Sequence, residues 1–577
     1  MSNLVYAGAG HVFPETVRRL NMLRPTRWYY VGETGSAITT SWDNADYCKD
    51  WLVYNLKLNY PGLTDTDTMS FGAFTTAPDG TTDTARLLRE TTSTSEHSII
   101  AGTSTGNIYY GKMRLASVLK YAGRRIVLSM VMGFGPGTSA QPYGCKAVFD
   151  LQNGVVAVDT TYFAGSGGTA WTIYPAQIQP VGNGWYLCYI EAQPVATGLG
   201  GMLSLFGKVS LDNGVGAGSE SSTYPGNSAS GVYAWRSNLL PSRAWDINNT
   251  EYFDDFDDVT MANIDRFNTK APGYDWYVST PIPAYEGHWS AHQPPDPACF
   301  SVADSVLTIS GGSGVRTLGS FASLWEPPDE EFDVEPDRNY SEAYVGTGWA
   351  VPALFEIRTR YDTAYTPVDG LAFWSSGLEQ LVQGRYLPTT DVISQEGDFL
   401  EIYASQQLPG WHTHYIVSPA GPGVSHELSY CFSTYANMSI WKSIVQYPPG
   451  NHVERLGVKY TSSGYTTIGS PPETTPLEWG PYVNPTASVL PPVIDYNEFN
   501  TYSTLWFPWT EDEPGQMVCF LNGGFCNFPL VYGPDYPENH GSTSNTAHLS
   551  DGQHQALFFG SATVGLAMHT DWIRVVK

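Results

Sequence analysis

Three acidic residues stand close together within residues 394–404, at Glu396, Asp398 and Glu401. In a β-strand successive side chains alternate between two faces, so Glu396 and Asp398 share one face. Glu401 joins them only if one extra residue, at Phe399 or Leu400, forms a β-bulge, a feature that re-aims side chains beside active sites. Neighbouring carboxylates repel one another unless they share protons, and glycoside hydrolysis is one chemistry that uses such an arrangement. We therefore predict a bulged strand with three carboxylates on one face.

The spacing of these acids is a weak motif when it is taken alone. The chain has 56 Asp and Glu among 577 residues. An acid-x-acid-x-x-acid pattern is then expected about 0.6 times by chance. The elements around the strand must therefore decide whether the three residues form a site.

The composition favours an all-β protein. The chain has 58 Gly, 40 Pro and 37 Tyr, and few stretches have helical periodicity. A net charge of −27 without Lys/Arg clusters argues against nucleic acid as a partner. Membrane insertion is not expected because no run of 18 apolar residues occurs. The N-terminus lacks the pattern of a signal peptide, so we expect synthesis in the cytosol and action outside the cell only after lysis or on a virus particle.

The turn spacing divides the chain into four segments. Residues 1–45 form a short N-terminal arm, which either docks onto another protein or packs on the next domain. Residues 46–240 are predicted to form one β-sandwich. Their short segments of alternating apolar and polar residues are separated by Gly, Pro, Asn, Asp and Ser. Residues 241–250 are predicted to be a linker, and residues 251–577 form a second all-β domain. The predicted fold is thus two jelly-roll or β-sandwich domains in tandem.

An ordered set of short motifs characterises the first domain: APDGTT (77–82), ARLLRET (85–91), FDLQNGV (149–155), VGNGWY (181–186) and GVYAW (231–235). Together they resemble the carbohydrate-binding-module-like jelly rolls of phage tail and other virion proteins. The resemblance implies glycan binding or a structural role on a virion, with other virion proteins as partners. A homo-oligomer is one option for the assembly, and the sequence leaves the oligomeric state open. Core packing is the structural alternative to glycan binding for Trp185 and Trp235, and we favour it for Trp185.

A second ordered set runs through residues 251–577: YFDDF (252–256), ALFEIRTRY (353–361), GLAFW (370–374), EGDFLE (396–401), FNTYSTLW (499–506), VCFLNG (518–523) and MHTDWIRVV (568–576). This series resembles glycoside hydrolase family 16 and its concanavalin-like jelly-roll relatives. The three acids are present in the bulged spacing. The chain departs from the family pattern at Gly397, where an aliphatic residue is usual, at Asn500, where His is usual, and in an insertion at about 445–495.

The resemblance implies a retaining endo-glycosidase that cuts a β-linked polysaccharide. Glu396 would be the nucleophile, Glu401 the general acid/base, and Asp398 the residue that shares a proton with Glu396. About 13 Å of extended strand separates the two glutamate α-carbons. Their side chains must therefore lean inward to reach the separation of about 5–5.5 Å that a retaining mechanism needs. Repulsion by the other two carboxylates favours a proton on Glu401.

Aromatic and histidine side chains are the candidates for holding the sugar. The resemblance places Trp374 on the strand beside the catalytic strand, which favours sugar stacking. Trp349, Tyr403, His412 and His414 are second-rank candidates. His412 and His414 share one face of an alternating segment but lack a clear third ligand, so a structural or substrate-binding role is favoured over a metal site.

No cofactor is required for the predicted reaction. The oxygens of the acidic cluster at 254–258 could hold a structural calcium, although a solvated turn is favoured. Three functions remain open from the sequence. The first is a virion-associated endo-glycanase, and the second is a receptor-binding or decoration protein that only holds glycan. The third is a virion building block. The acid triplet favours the enzyme, whereas Gly397, Asn500 and the insertion keep the binding protein as the alternative.

Overall fold

The computed structural model describes residues 14–25, 69–82, 85–102, 111–134, 143–163, 171–194, 203–214, 224–257, 263–267, 269, 271–278, 297–310, 313–321, 344–361, 371–377, 395–402, 415–417, 426–427, 439–440, 452–455, 458–462, 471–481, 499–508, 510–525, 530–532, 554–561 and 567–577. Within these ranges the chain is almost entirely β, as predicted. The one α-helix there, α1 (Glu15–Arg19), has only five residues. None of the described segments contains a helix long and apolar enough to cross a membrane.

The strands are short and follow one another throughout the described chain. The first fifteen are β1 Asn21–Pro25, β2 Met69–Thr75, β3 Ala85–Glu90, β4 Thr94–Ser95, β5 Ser98–Gly102, β6 Met113–Ala122, β7 Arg125–Phe134, β8 Tyr143–Asp150, β9 Val155–Tyr162, β10 Trp171–Ile173, β11 Gln177–Gly182, β12 Trp185–Pro194, β13 Leu203–Asp212, β14 Tyr224–Pro225 and β15 Gly231–Pro241. The next twelve are β16 Thr250–Asp254, β17 Ile264–Asp265, β18 Trp276–Val278, β19 Phe300–Ala303, β20 Val306–Ser310, β21 Ser313–Arg316, β22 Leu318–Phe321, β23 Tyr344–Gly346, β24 Trp349–Ala350, β25 Ala353–Tyr361, β26 Leu371–Gly377 and β27 Gln395–Ile402. The last twelve are β28 Tyr415–Val417, β29 His426–Glu427, β30 Ser439–Ile440, β31 His452–Arg455, β32 Val458–Ser462, β33 Trp479–Pro481, β34 Asn500–Phe507, β35 Gly515–Leu521, β36 Gly524–Phe525, β37 Leu530–Tyr532, β38 His554–Ser561 and β39 Ala567–Val576.

The chain divides into two compact units. The first comprises Met1–Asn249 and Thr510–Val531, and the second comprises Thr250–Trp509 and Tyr532–Lys577. The boundary near residue 250 lies at the end of the predicted linker. Contacts group residues 510–531 with the first unit; their assignment to the second domain from the sequence stays a prediction.

The first unit is a β-sandwich. One sheet has the strand order β10-β12-β6-β15-β3-β2, with β11 beside β12, and the other has the order β5-β13-β7-β8-β9. Strand β12 contacts β7 and β8 of the opposite sheet. Apolar residues alternate with polar ones along these strands because every second side chain points into the space between the sheets. Fully buried examples are Leu115, Leu128, Phe149 and Ile190.

The N-terminal arm is anchored on this first unit. The side-chain amide of Asn238 in β15 donates hydrogen bonds to the carbonyl oxygens of Val17 (2.6 Å) and Leu20 (2.8 Å). Both residues are buried, and so is Met22 in β1. Residues 14–25 are therefore an extension packed on its own unit, which was one of the two alternatives for the arm.

The predicted linker at 241–250 is mostly packed rather than extended between domains. Ser242–Trp245 forms a 3-10 helix in which Ser242, Ala244 and Trp245 are buried. The guanidinium of Arg114 lies 4.9 Å from the centre of the Trp245 ring. Because Trp245 is covered in this way, the 3-10 helix lies at the edge of the core of the first unit.

A buried carboxylate, Glu90, joins several parts of the first unit. It accepts hydrogen bonds from Arg124 Nε (2.5 Å) and the backbone N–H of Asn227 (2.7 Å), and from the hydroxyl of Tyr224. Burial raises the pKa of Glu90, but the hydrogen bonds from Arg124, Tyr224 and Asn227 and the charge of Arg124 outweigh burial and hold that pKa below its ordinary value of 4.5. The ionised form is therefore the one that the fold stabilises.

Glu90→Gln is expected to destabilise the protein by about 3 kcal/mol at pH 7, because Arg124 loses its buried partner. A lowered pKa in the folded state gives stability that is present above the unfolded-state pKa and is lost as the pH falls through the folded-state pKa. Urea unfolding measured at pH 7 and at pH 4 or below should thus show that acid lowers the free energy of unfolding less in the variant than in the wild type. Glu251→Gln, which alters an exposed carboxylate, is the matched control. Equal acid-induced losses in Glu90→Gln and wild type would contradict the assignment.

The second unit is also a sandwich of two sheets. The first sheet contains β34-β25-β39-β20-β19, with β16 on β39, and the second contains β17-β18-β21-β38-β26-β27-β28-β29, with β24 on β38. The rings of Phe355 and Trp506 on the first sheet pack against Phe399 on the second, with ring centres 5.0 and 6.3 Å apart. Strands β31–β33, from the insertion that the sequence could not place, form a separate small sheet with β30.

One buried ion pair ties three strands of the first sheet together. The carboxylate of Glu356 in β25 accepts hydrogen bonds from Arg574 Nε (2.9 Å) in β39 and from the hydroxyl of Ser503 (2.8 Å) in β34. Glu356 is fully buried and Arg574 is 5% exposed. The buried carboxylate and the buried guanidinium therefore both have hydrogen-bond partners, as buried charges require.

Candidate functional site

Strand β27 carries the acidic motif and lies between β26 and β28. Its register with β26 pairs Glu396 with Ser376, Asp398 with Trp374, Leu400 with Phe373 and Glu401 with Ala372, and it shifts between Phe373 and Trp374. Phe399 is the residue that the register skips. The predicted β-bulge is therefore confirmed, at one of the two positions that the sequence allowed.

The bulge changes which residues share a face of the sheet. Register partners in an antiparallel pair lie on the same face. The positions of Glu396, Asp398 and Glu401 thus fall on the face that carries Trp374; the structure describes these three acids by their backbone. Phe399 lies on the other face, where its ring meets those of Phe355 and Phe373. The core therefore holds the bulge in place through the residue that the register skips.

Trp374 lies in register with Asp398 on one side and with Phe558 of β38 on the other. Its indole ring is stacked on the Phe558 ring, with centres 3.9 Å apart and planes 10° from parallel. Trp374 is 5% exposed. The Phe558 ring therefore covers one face of the indole, and the sugar-stacking role of Trp374 stays a prediction.

A buried arginine that the sequence reading missed extends the same row. Arg316 of β21 is the register partner of Phe558, so Arg316, Phe558, Trp374 and Asp398 occupy four successive strands on one face. Arg316 is 3% exposed, and burial lowers the pKa of its guanidinium to about 10. A guanidinium offers several fixed hydrogen-bond donors to hydroxyl or anionic groups. No motif marked Arg316, because its place depends on strands far away in the sequence.

Trp349, a second-rank candidate for sugar binding, lies on the opposite face. It pairs with Gln555 of β38, whose side chain accepts a hydrogen bond from Ser375 on the inner side of the sheet. The Trp349 ring is 5.1 Å from that of Tyr252 and is 5% exposed. This position favours core packing and does not support the substrate-binding prediction. The remaining candidates, Tyr403, His412 and His414, lie outside the described residues.

The first acid of the 254–258 cluster has a structural role. Asp254 accepts hydrogen bonds from Trp276 Nε1 (2.7 Å) and from the backbone N–H of Phe256 (2.9 Å). Burial raises the pKa of Asp254, and burial with the nearby Asp254 charge also raises the pKa of Tyr252. Asp258 lies outside the described residues. Across the described part of the chain, no three His, Cys, Asp or Glu side chains are grouped in a way that could hold a metal ion.

Comparisons with known proteins show likenesses only in structure. No protein-family profile matches the chain, and no curated protein is significantly similar to it. Among solved structures, an endo-β-1,3-glucanase from Pyrococcus furiosus is 14% identical, with a TM-score of 0.24, and the match covers 57% of this chain and 94% of the glucanase. Porphyranase B from Zobellia galactanivorans is 12% identical, with a TM-score of 0.25 and coverage of 56% and 91%.

A laminarinase catalytic domain from Thermotoga petrophila RKU-1 gives similar values. It is 14% identical, with a TM-score of 0.25, and the match covers 57% of this chain and 97% of that domain. By their descriptions these solved structures are two endo-1,3-β-glucanases and a porphyranase. At such TM-scores the likenesses carry no argument about the activity or substrate of this chain, so the case for a function depends on the residues of its own sheet.

Proposed function

We propose that the second unit is a retaining endo-glycosidase that cuts a β-linked polysaccharide. The observation that carries the proposal is the bulge at Phe399, because it brings the positions of Glu396, Asp398 and Glu401 to one face of β27. Without this skipped residue, Glu401 would fall on the core side and no carboxylate pair could form. The sequence resemblance to glycoside hydrolase family 16 supports the roles given to the three acids.

In the proposed reaction Glu396 attacks the anomeric carbon while Glu401 protonates the leaving oxygen. Asp398 lies between them and shares a proton with Glu396, which orients the nucleophile. Glu401, now deprotonated, then activates a water molecule that hydrolyses the glycosyl-enzyme and regenerates Glu396. The reaction uses only carboxylates and water, so it requires no cofactor.

The neighbours of the acids suit a sugar chain. Trp374 occupies the register position beside Asp398 and offers an aromatic surface to a sugar ring. Arg316 lies two strands further along the same row and offers donors to a sugar substituent. We assign Trp374 to sugar stacking and Arg316 to the recognition of a hydroxyl or acidic substituent.

The setting in which the enzyme works is part of the proposal. The ordered motifs of residues 46–240 support a glycan-binding first unit on a virion, so the protein would act outside the cell as a polysaccharide depolymerase at a tail or surface position. Partners would be polysaccharide, other virion proteins and further copies of the chain. This part of the proposal rests on the sequence resemblance alone.

The deciding experiment incubates the full chain with a panel of β-glucans, galactans and bacterial surface polysaccharides. New reducing ends are measured, and proton NMR records the anomeric configuration of the first product. We expect cleavage of at least one β-linked polymer with retention of configuration. An inverted first product would contradict the roles of Glu396 and Glu401. Binding to a polymer without any new reducing ends would favour the alternative, a non-catalytic receptor-binding or decoration protein.

A further inference from the structure

An aromatic cluster surrounds the bulge residue of β27 inside the second unit. We define the bulge clamp as Phe399 of β27 with Phe373 of β26, Phe355 of β25 and Trp506 of β34. Phe373 and Phe399 belong to the sheet that carries the acidic motif, whereas Phe355 and Trp506 belong to the opposite sheet. Each of the four side chains is at most 1% exposed. The bulge clamp therefore joins the two sheets on the core side of the acidic strand.

The other rings of the bulge clamp contact the Phe399 ring in two different geometries. The Phe399 ring is stacked on that of Phe355, with centres 5.0 Å apart and planes 12° from parallel. The rings of Phe373 and Trp506 meet it edge-on, at 5.2 Å and 64° and at 6.3 Å and 74°. Both geometries are favoured between aromatic rings. One stacked face and two edge contacts restrict the tilt of the Phe399 ring and its movement along the strand.

The backbone of β27 sets two large residues against one residue of β26 at this point. Phe373 pairs with Leu400 and Trp374 pairs with Asp398, so the register skips Phe399. Leu400 is buried, as Phe399 is. A β-bulge bends its strand and increases the local twist. The position that the Phe399 ring takes in the core therefore sets the twist of β27 just after Asp398.

The twist at the bulge affects the acids because they lie on both sides of it. Glu396 precedes Phe399 in β27, and Glu401 follows it. A retaining mechanism needs the two carboxyl groups about 5–5.5 Å apart. A displacement of about 1 Å in a reacting group can lower a rate by about 10²-fold. The residues that hold the bulge therefore control the spacing on which the proposed reaction depends, although none of them carries a reactive group.

We propose that Phe399 is a positioning residue whose ring sets the separation between Glu396 and Glu401. Phe355 and Trp506 act through this ring from the opposite sheet, so residues that never touch the substrate would govern the rate of the chemical step. The inference rests on the proposed glycosidase function for the reaction itself. It goes further in assigning the control of that reaction to the packing of the core.

The test compares full-length variants that each remove or shorten one buried ring. Phe399→Ala should lower kcat by about 100-fold and change KM by less than about threefold, because the binding surface stays while the reacting groups move apart. Phe355→Leu, on the opposite sheet, should lower kcat by about tenfold for the same reason. Phe300→Ala is the matched control, because Phe300 is 4% exposed and lies in β19, outside the bulge clamp. Its kcat should change by less than about threefold.

The pH dependence of kcat separates positioning from a loss of stability. Repulsion by neighbouring carboxylates raises the pKa of a general acid, so a larger separation lowers that pKa. The basic limb of the kcat profile should thus move to lower pH in Phe399→Ala and stay in place in Phe300→Ala. Chemical unfolding measures the stability that each variant loses. If Phe399→Ala does not fold, Phe399→Leu and Phe300→Leu give the same comparison, because leucine fills part of the cavity but cannot stack.

A second measurement does not depend on catalysis. Carbon NMR of the glutamate-labelled chain follows the titration of the Glu401 carboxyl, which is assigned through Glu401→Gln. Its pH of half-titration should fall in Phe399→Ala and not in Phe300→Ala. Equal kcat values with equal pH profiles in these two variants, or equal titration curves, would overturn the proposal. If the wild type releases no reducing ends, the proposed function fails, and the titration still decides whether Phe399 positions the acids.

Discussion

Glu396→Gln is expected to lower the rate of polysaccharide cleavage by about 10⁴-fold or more while polysaccharide binding persists. Glutamine keeps the shape and hydrogen-bonding reach of glutamate but cannot form the glycosyl-enzyme, and loss of a nucleophile in a covalent mechanism has effects of this order. Reducing ends released by the full chain give the rate, and calorimetric titration with the same polymer gives the affinity.

The control is Glu251→Gln, which removes an exposed carboxylate elsewhere in the second unit and should leave the rate unchanged. Glu401→Gln should impair cleavage least for substrates whose leaving group needs no protonation. If Glu396→Gln cuts as fast as the wild type, Glu396 is not the nucleophile and the bulged strand has another role.

Glu356→Ala is expected to destabilise the protein by about 3–5 kcal/mol, because it leaves the guanidinium of Arg574 buried without its carboxylate. The pair connects β25 to β39, and β39 also pairs with β20. Chemical unfolding of the full chain measures the loss. If the two units unfold in separate transitions, only the transition of the second unit should shift to lower denaturant concentration.

Two further variants separate the charge from the packing. Glu356→Leu with Arg574→Met replaces the ion pair by apolar side chains and should recover most of the stability, since a buried pair often contributes little net free energy. Arg358→Gln breaks the neighbouring pair with Asp571, which is more exposed, and should cost less than about 1 kcal/mol. A cost for Glu356→Ala no larger than for Arg358→Gln would show that the Glu356 pair does not stabilise the sheet.

The bulged strand could be read from the sequence because its cause is local. The alternation of side chains and the spacing of Glu396, Asp398 and Glu401 left one extra residue to place, and the register skips Phe399. The all-β class was equally predictable, since short alternating segments between turn residues cannot form long helices. The aromatic contacts of Phe399 on the core side were not visible in the sequence, although they are what holds the bulge.

The contacts of residues 510–531 were harder to predict because their partners lie far away in the sequence. The sequence assigned residues 510–531 to the second domain, following an ordered resemblance. In the fold, Gly524 pairs with Asn21 of β1. The guanidinium of Arg243 contacts Glu513 at 2.9 Å and the carbonyl oxygen of Pro514 at 2.5 Å. No periodicity within the segment records such partners.

The sequence by itself determined the spacing of three carboxylates on one bulged strand of an all-β protein. Only the tertiary structure decided what surrounds them. It turned Trp349 toward the core beside Tyr252, and it brought Arg316 into the row of Trp374. The physical reason is that the face of a residue across a sheet is set by the register of strands that are far apart in the chain, and a shift of one residue moves a side chain to the opposite face.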